Sequence, residues 1–170
     1  MKNNKKALIE TCFGDSDFYS KGLKEYGWIA EDFISNIAPL QLAWARENNF
    51  TGKGIEIVVE QIRQLRPQVV YLHEMGIGTK EFLAAIRPYT ELIVGQIACP
   101  IFPNSDIVNF DIIFSSFPHF VEKFRSAGIT SYYQPLAFEP RVLEKIGRLE
   151  RIYPVTFVGT ISKLHEKGRQ

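Results

Sequence analysis

The feature that most constrains this chain is a change of hydrophobic period at Pro67. Upstream, Ile55, Val58, Val59, Ile62 and Leu65 recur at helical spacing, with Glu56, Glu60, Arg63 and Gln64 between them. Proline cannot continue a helix, so the pattern predicts a surface helix over Ile55–Arg66 with one buried face. Immediately downstream, Val69–His73 is short and β-branched, the signature of a strand. A helix that hands over directly to an apolar strand suits a parallel sheet, whose strands must be joined by crossovers.

The same alternation extends in both directions. Ala7–Phe13 reads as a first strand, ending in the turn and cap residues Gly14, Asp15, Ser16 and Asp17. Phe18–Tyr26 reads as a helix closed by Gly27, Trp28–Ile34 as a second strand, and Asn36–Asn49 as a helix with Pro39 in its first turn. Its residues Leu40, Ala43 and Trp44 form a stripe expected to pack on the sheet. After Val69–His73 and the loop Met75–Thr79 come a helix through Ile86, strands at Leu92–Ile97 and Ile112–Phe114, and a helix over Pro118–Ala127 closed by Gly128. In that helix Phe117, Phe120, Val121 and Phe124 share a face. A strand at Ile129–Tyr133, a linker helix over Glu139–Arg151 and a last strand at Tyr153–Val158 complete the reading. The expected class is α/β: a doubly wound, mostly parallel sheet with helices on both faces.

The polar stretch Lys163–Gln170 after that last strand resembles the first turns of another helix. The sequence therefore predicts one domain over 1–150 and the start of a second unit of the same kind over 151–170, the remainder of which is missing.

Composition narrows the function classes. A chain of 170 residues can bury a core without a disulfide or metal staple. A formal net charge of +1 supplies no general attraction to nucleic acid or an anionic bilayer. Cys12 and Cys99 lie far apart in apolar surroundings with no His or Cys at ligand spacing, which predicts buried free thiols and no metal site. The basic stretch Met1–Lys6 precedes too few apolar residues for a signal peptide or a membrane span, so a cytoplasmic protein is expected. The oligomeric state is not legible.

Ligands of doubly wound sheets bind beyond the carboxyl ends of the strands. The residues there are Gly14, Asp15 and Ser16; His73 and Glu74; Gln96; Ser115 and Ser116; and Gln134. No cofactor fingerprint accompanies them. Gly76-Ile77-Gly78 lacks the third glycine of a dinucleotide loop, Gly52-Lys53-Gly54 is not a phosphate-cradling loop, and no serine sits in a Gly-x-Ser-x-Gly elbow. A phosphorelay receiver would need an aspartate where His73 and Glu74 stand.

His73 at a strand tip suits a general base for a hydroxyl proton. Because strand neighbours point to opposite faces, only one of His73 and Glu74 can face the crevice, the other being solvated or capping. His119, in the first turn of its helix, is the second candidate base, and an exposed polar-face position is its plain alternative. Gly14 would let backbone approach a ligand after a strand, or simply make a turn. Ser115 and Ser116 could contact ligand or cap the following helix. Phe102, Phe110, Phe117, Tyr132 and Tyr133 could be core or a stacking platform.

Four segments together carry a resemblance: Asn36-Ile37-Ala38-Pro39-Leu40-Gln41-Leu42-Ala43-Trp44-Ala45, Gly95-Gln96-Ile97-Ala98-Cys99-Pro100, Phe114-Ser115-Ser116-Phe117-Pro118-His119-Phe120 and Phe157-Val158-Gly159-Thr160. Over nearly its whole length the chain resembles the N-terminal half of bacterial glycosyltransferases of the spore-maturation-protein type. That resemblance implies a Rossmann-like acceptor-side domain, facing a second Rossmann-like domain that holds most of a nucleotide-sugar donor. It also implies donor-side roles for Gly159, His165 and Arg169, which match the glycine and the His-x-x-x-Arg spacing that open the family's second half. The expected activity is transfer of a sugar from a nucleotide-sugar to a hydroxyl acceptor, with this half alone inactive. The alternative is a non-enzymatic module that binds a small ligand or a protein in the same crevice.

Overall fold

The computed structural model describes residues 2–12, 14, 16–101, 103–148, 150 and 152–157. The chain divides into two compact units, Met1–Phe138 and Glu139–Gln170. The first is α/β, with a sheet of four parallel strands in the order β1-β2-β3-β4: β1 Val69–Leu72, β2 Leu92–Gln96, β3 Ile112–Ser115 and β4 Ser131–Tyr133. Its helices are α1 Lys2–Glu10, α2 Phe18–Glu25, α3 Ala38–Glu47, α4 Ile55–Leu65, α5 Lys80–Ile86 and α6 Pro118–Ser126. α5 makes the crossover from β1 to β2 and α6 that from β3 to β4. Among its described residues, the connection from β2 to β3 holds a short 3₁₀ turn, Ile107–Asn109, and no α-helix. The second unit carries α7, Pro140–Ile146, stopped by Gly147 at φ +71°.

Helices lie on both faces of the sheet, which makes it Rossmann-like. On one face Val70 and Leu72, Ile93 and Ile97, and Ile113 meet Val58 and Ile62 of α4, Phe82, Leu83 and Ile86 of α5, and Phe124 of α6. Each fully buried aliphatic here contributes roughly 1.5–3 kcal/mol. Gly95 also faces this side, and it has a steric reason to be glycine: an added Cβ would come within 2.8 Å of Met75 Sδ and 2.9 Å of the Phe110 ring. The opposite face is met by Tyr19 of α2, whose ring centroid lies 5.2 Å from that of Tyr71.

From α4 to β4 the chain follows its local signals. Arg66 ends α4 in the left-handed conformation at φ +48° just before Pro67. Thr79 caps α5 through a hydroxyl that accepts the Phe82 N–H. The buried stripe of α4 is rotated from the expected one: Ile57, Val58, Gln61 and Ile62 are buried, while Ile55 and Leu65 are exposed, because α3 packs on a second side of this helix. α3 itself buries Leu40, Gln41 and Ala45.

Three expected strands are absent. The described part of Ala7–Phe13 lies in α1 or the turn that follows it. Lys2–Glu10 combines straight-chain residues with Ala7, and Lys6 pairs with Glu10 one turn on at 3.7 Å, so local propensity outweighed a short apolar run. Trp28–Ile34 pairs with no strand; Ile29 is 99% exposed, and Asp32 instead accepts a hydrogen bond from Ser20 at 2.6 Å. In the second unit, residues 152–157 form no strand, and Tyr153, Val155 and Phe157 are exposed. Apolar alternation makes a strand only where a neighbouring strand is there to pair with. Val158 and the stretch Lys163–Gln170 fall outside the described residues.

Candidate functional site

At the carboxyl edge of the sheet a cluster of aromatic and polar side chains assembles from three elements. The register Leu72↔Gly95 places His73, one residue on, opposite Gln96; Gln96 pairs with Phe114, and Phe114 with Tyr132. Residues opposite one another in a ladder share a face, so His73, Gln96, Phe114 and Tyr132 form one row across the sheet, on the side away from the aliphatic core. Tyr71 lies two residues before His73 on the same side.

Gln96 is the centre of this row. Its Oε1 accepts the Tyr19 hydroxyl at 2.8 Å and also the Tyr71 hydroxyl. Two hydroxyl donors on one carbonyl hold the amide in place and tie α2 to β1 and β2. The His73 imidazole leans on the same pair, with ring centroids 5.4 Å from Tyr19 and 6.4 Å from Tyr71, and remains exposed. The site thus offers an imidazole with a hydrogen-bonded wall behind it, suited to holding a hydroxyl and accepting its proton.

The remaining sequence candidates separate by position. Glu74 turns from this cluster and caps the 3₁₀ turn Met75–Ile77, its Oε1 accepting the Gly76 N–H at 2.8 Å. Ser115 is fully buried, and its hydroxyl accepts the Phe117 N–H at 3.1 Å. Phe117, not a serine, is the N-cap of α6, so Ser115 braces the turn into that helix, and Ser116 is half-buried beside it. The Gln134 N–H extends the ladder by donating to the Ser115 carbonyl at 2.9 Å. His119 is exposed and stacks on Phe117 at 5.5 Å with an interplanar angle of 17°. It lies on α6, the helix that follows β3, and β3 is two ladder spacings, about 10 Å, from the strand that His73 follows.

Gly14 and Ser16 do not follow a strand: they lie in the connection from α1 to α2, with φ +64° and +44°. Ser16 donates to the Ile9 carbonyl at 2.6 Å, closing that connection on itself. Since Tyr19 is three residues away, the connection lies within about 11 Å of chain reach from the Gln96 cluster. Asp15, Gly159, His165, Arg169 and Phe102 lie outside the described residues. Of the other aromatic candidates, Phe110 is core, whereas Phe117, Tyr132 and Tyr133 are exposed. Both cysteines are free, but neither is buried: Cys12 is half-buried and Cys99 exposed, in the loop that leaves β2.

Tyr19 and Tyr71 were the participants missed from sequence. Tyr71 had a legible signal, because a residue two before a strand-tip histidine shares its face. Tyr19 had none, since only the docking of α2 brings it to Gln96.

An open groove of about 680 Å³ lies between α4 and α5, lined by apolar residues including Phe50, Val59 and Phe82 and by the carboxylates of Glu56, Glu60 and Glu81. Its charges are locally accounted for. Hydrogen bonds from Arg63 and then Gln64 lower the Glu60 carboxyl to about 2. Glu81 is held below the ordinary range by its own backbone N–H and then by the Thr79 hydroxyl. Among the described residues, no group of three or more His, Cys, Asp or Glu could hold a metal ion, and no helix is long and apolar enough to cross a membrane. Comparison with protein-family models, with curated proteins and with solved structures finds no match.

Proposed function

We propose that this chain is the acceptor-side half of a glycosyltransferase, receiving a hydroxyl acceptor that takes a sugar from a nucleotide-sugar. The observation that carries this reading is the placement of His73: an exposed imidazole at the carboxyl edge of a parallel sheet, backed by Tyr19 and Tyr71 and opposite Gln96. The Rossmann-like fold and the family resemblance support it. In the inverting form of the reaction, the acceptor oxygen bonds to the anomeric carbon, and His73 takes the hydroxyl proton. The bond from that carbon to the diphosphate breaks, and the nucleoside diphosphate leaves with the electron pair. A retaining reaction would ask only for positioning and for stabilisation of the leaving diphosphate. His73 is preferred to His119 as the base because it adjoins the amide and hydroxyl groups that can orient an acceptor. The donor would be held by a second Rossmann-like unit, in which the resemblance gives Gly159, His165 and Arg169 donor-side roles.

The test compares this 170-residue chain with the complete gene product on a panel of UDP-, GDP- and TDP-sugars. Turnover in the longer protein only, reduced about a hundredfold by His73→Ala with little change in melting temperature, is the expected result. Silence in both proteins overturns the reading and leaves the binding module in its place. A loss of folding in His73→Ala, with no separate catalytic effect, removes His73 from the base role.

A further inference from the structure

The row that begins with His73 and Gln96 continues, from Gln96 to its ladder partner Phe114, into two aromatic rings on β3 and β4. Phe114 and Tyr132 are cross-strand neighbours with ring centroids 6.0 Å apart, tilted by 35°. Phe114 is half-buried, and Tyr132 is 49% exposed on a strand of only three residues. The guanidinium of Arg125 lies 5.9 Å from the centre of the Tyr132 ring and donates to the Ser131 carbonyl at 2.9 Å, bracing that ring from α6. The same sheet face therefore presents, side by side, a hydrogen-bonding amide and a braced aromatic floor.

We infer that Phe114 and Tyr132 form the stacking floor of the acceptor subsite, so that the acceptor hydroxyl is carried on a pyranose ring and not on an open-chain alcohol. The inference rests on the acceptor-site reading above and narrows it to a substrate class. Its physical basis is the division of labour along the row. A pyranose has an apolar C–H face and a polar hydroxyl rim. Laid on Phe114 and Tyr132, it turns that rim along the sheet toward Gln96, one strand from Phe114. A linear polyol has the same hydroxyls but no flat apolar face to lay on the rings. Among the described residues, the row of His73, Gln96, Phe114 and Tyr132 carries no lysine or arginine for an anionic acceptor, and Arg125 beside it is engaged by the Ser131 carbonyl.

The experiment titrates the 170-residue chain with methyl glucopyranosides and methyl galactopyranosides of both anomers, and with sorbitol, by ligand-observed NMR. Tyr132→Ala and Tyr132→Phe are run beside the parent, and melting temperatures check that each variant is folded. The expected result is pyranoside binding that weakens about fivefold in Tyr132→Ala, is retained in Tyr132→Phe, and is absent for sorbitol. Equal binding by Tyr132→Ala, equal binding of sorbitol, or no pyranoside binding at all overturns the inference. The two readings fail separately. Ring-dependent pyranoside binding without transfer by the complete protein leaves the subsite standing and removes the enzyme. Transfer to a pyranoside that ignores Tyr132 leaves the enzyme standing and removes the subsite.

Discussion

The two faces of the four-stranded sheet are built from the same strands and could hardly be less alike. One presents Val70, Leu72, Ile93, Ile97 and Ile113 to three helices and is closed so tightly around Gly95 that a single methyl group would collide with Met75 and Phe110. The other presents Tyr71, Gln96, Phe114 and Tyr132, none of them buried, beside Val94, which is. Strand geometry makes this possible, because alternate residues serve opposite faces and each face can be selected for a different purpose. The difference teaches that an aliphatic core and a polar, aromatic surface can occupy alternate positions of the same short segments. The aliphatic face holds the strands in register, and the polar-aromatic face inherits that register as a row of side chains.

The contrast can be broken by substitution. The largest effect is expected at Ile113, which is fully buried: Ile113→Ala should cost about 3 kcal/mol in chemical denaturation, through lost burial and the cavity left behind. On the other face, Tyr71→Phe keeps the ring and removes the hydroxyl that donates to Gln96. It should cost about 1 kcal/mol. A Tyr71→Phe penalty equal to that of Ile113→Ala would mean that both faces carry the fold, and the division drawn above would fail.

The smallest effect lies away from both faces, at Glu60 on α4. Its carboxyl titrates near 2 in the folded chain because Arg63 and Gln64 hydrogen-bond the charged form, whereas an unfolded glutamate titrates near 4.3. As pH falls, the unfolded state takes up this proton first. The stabilisation is therefore present above about pH 4.3 and is lost between there and about pH 2. Glu60→Gln should flatten the acid limb of stability in that window, and an unchanged slope would show that the pairing is spent on solvent. The effect is small because Arg63 is exposed and water screens the pair.

How far each segment could be read depended on how many independent signals it carried. For α4 and β1 there were several: an amphipathic stripe, Pro67 as a stop, and β-branched residues at Val69 and Val70. Gln96, Glu74 and His73 were placed at strand ends because those strands were legible. The N-terminal region carried only short apolar runs, and these do not distinguish a helix such as α1 from a strand, nor either from the unpaired Trp28–Ile34. Gly14 was consequently attached to a strand that is not there.

What the sequence by itself determined is local: the helical stripe of α4, its stop, the strand runs from Val69 to Tyr133 and the alternation that makes the sheet parallel. Steric and solvation preferences of neighbouring residues are sufficient for that. Only the tertiary structure decided which runs found a partner strand, which side of the sheet α2 would cover, and that Tyr19 would close on Gln96 across 77 positions of sequence. Those outcomes depend on the packing of segments remote in the chain, where the burial available to any one residue is set by all the others.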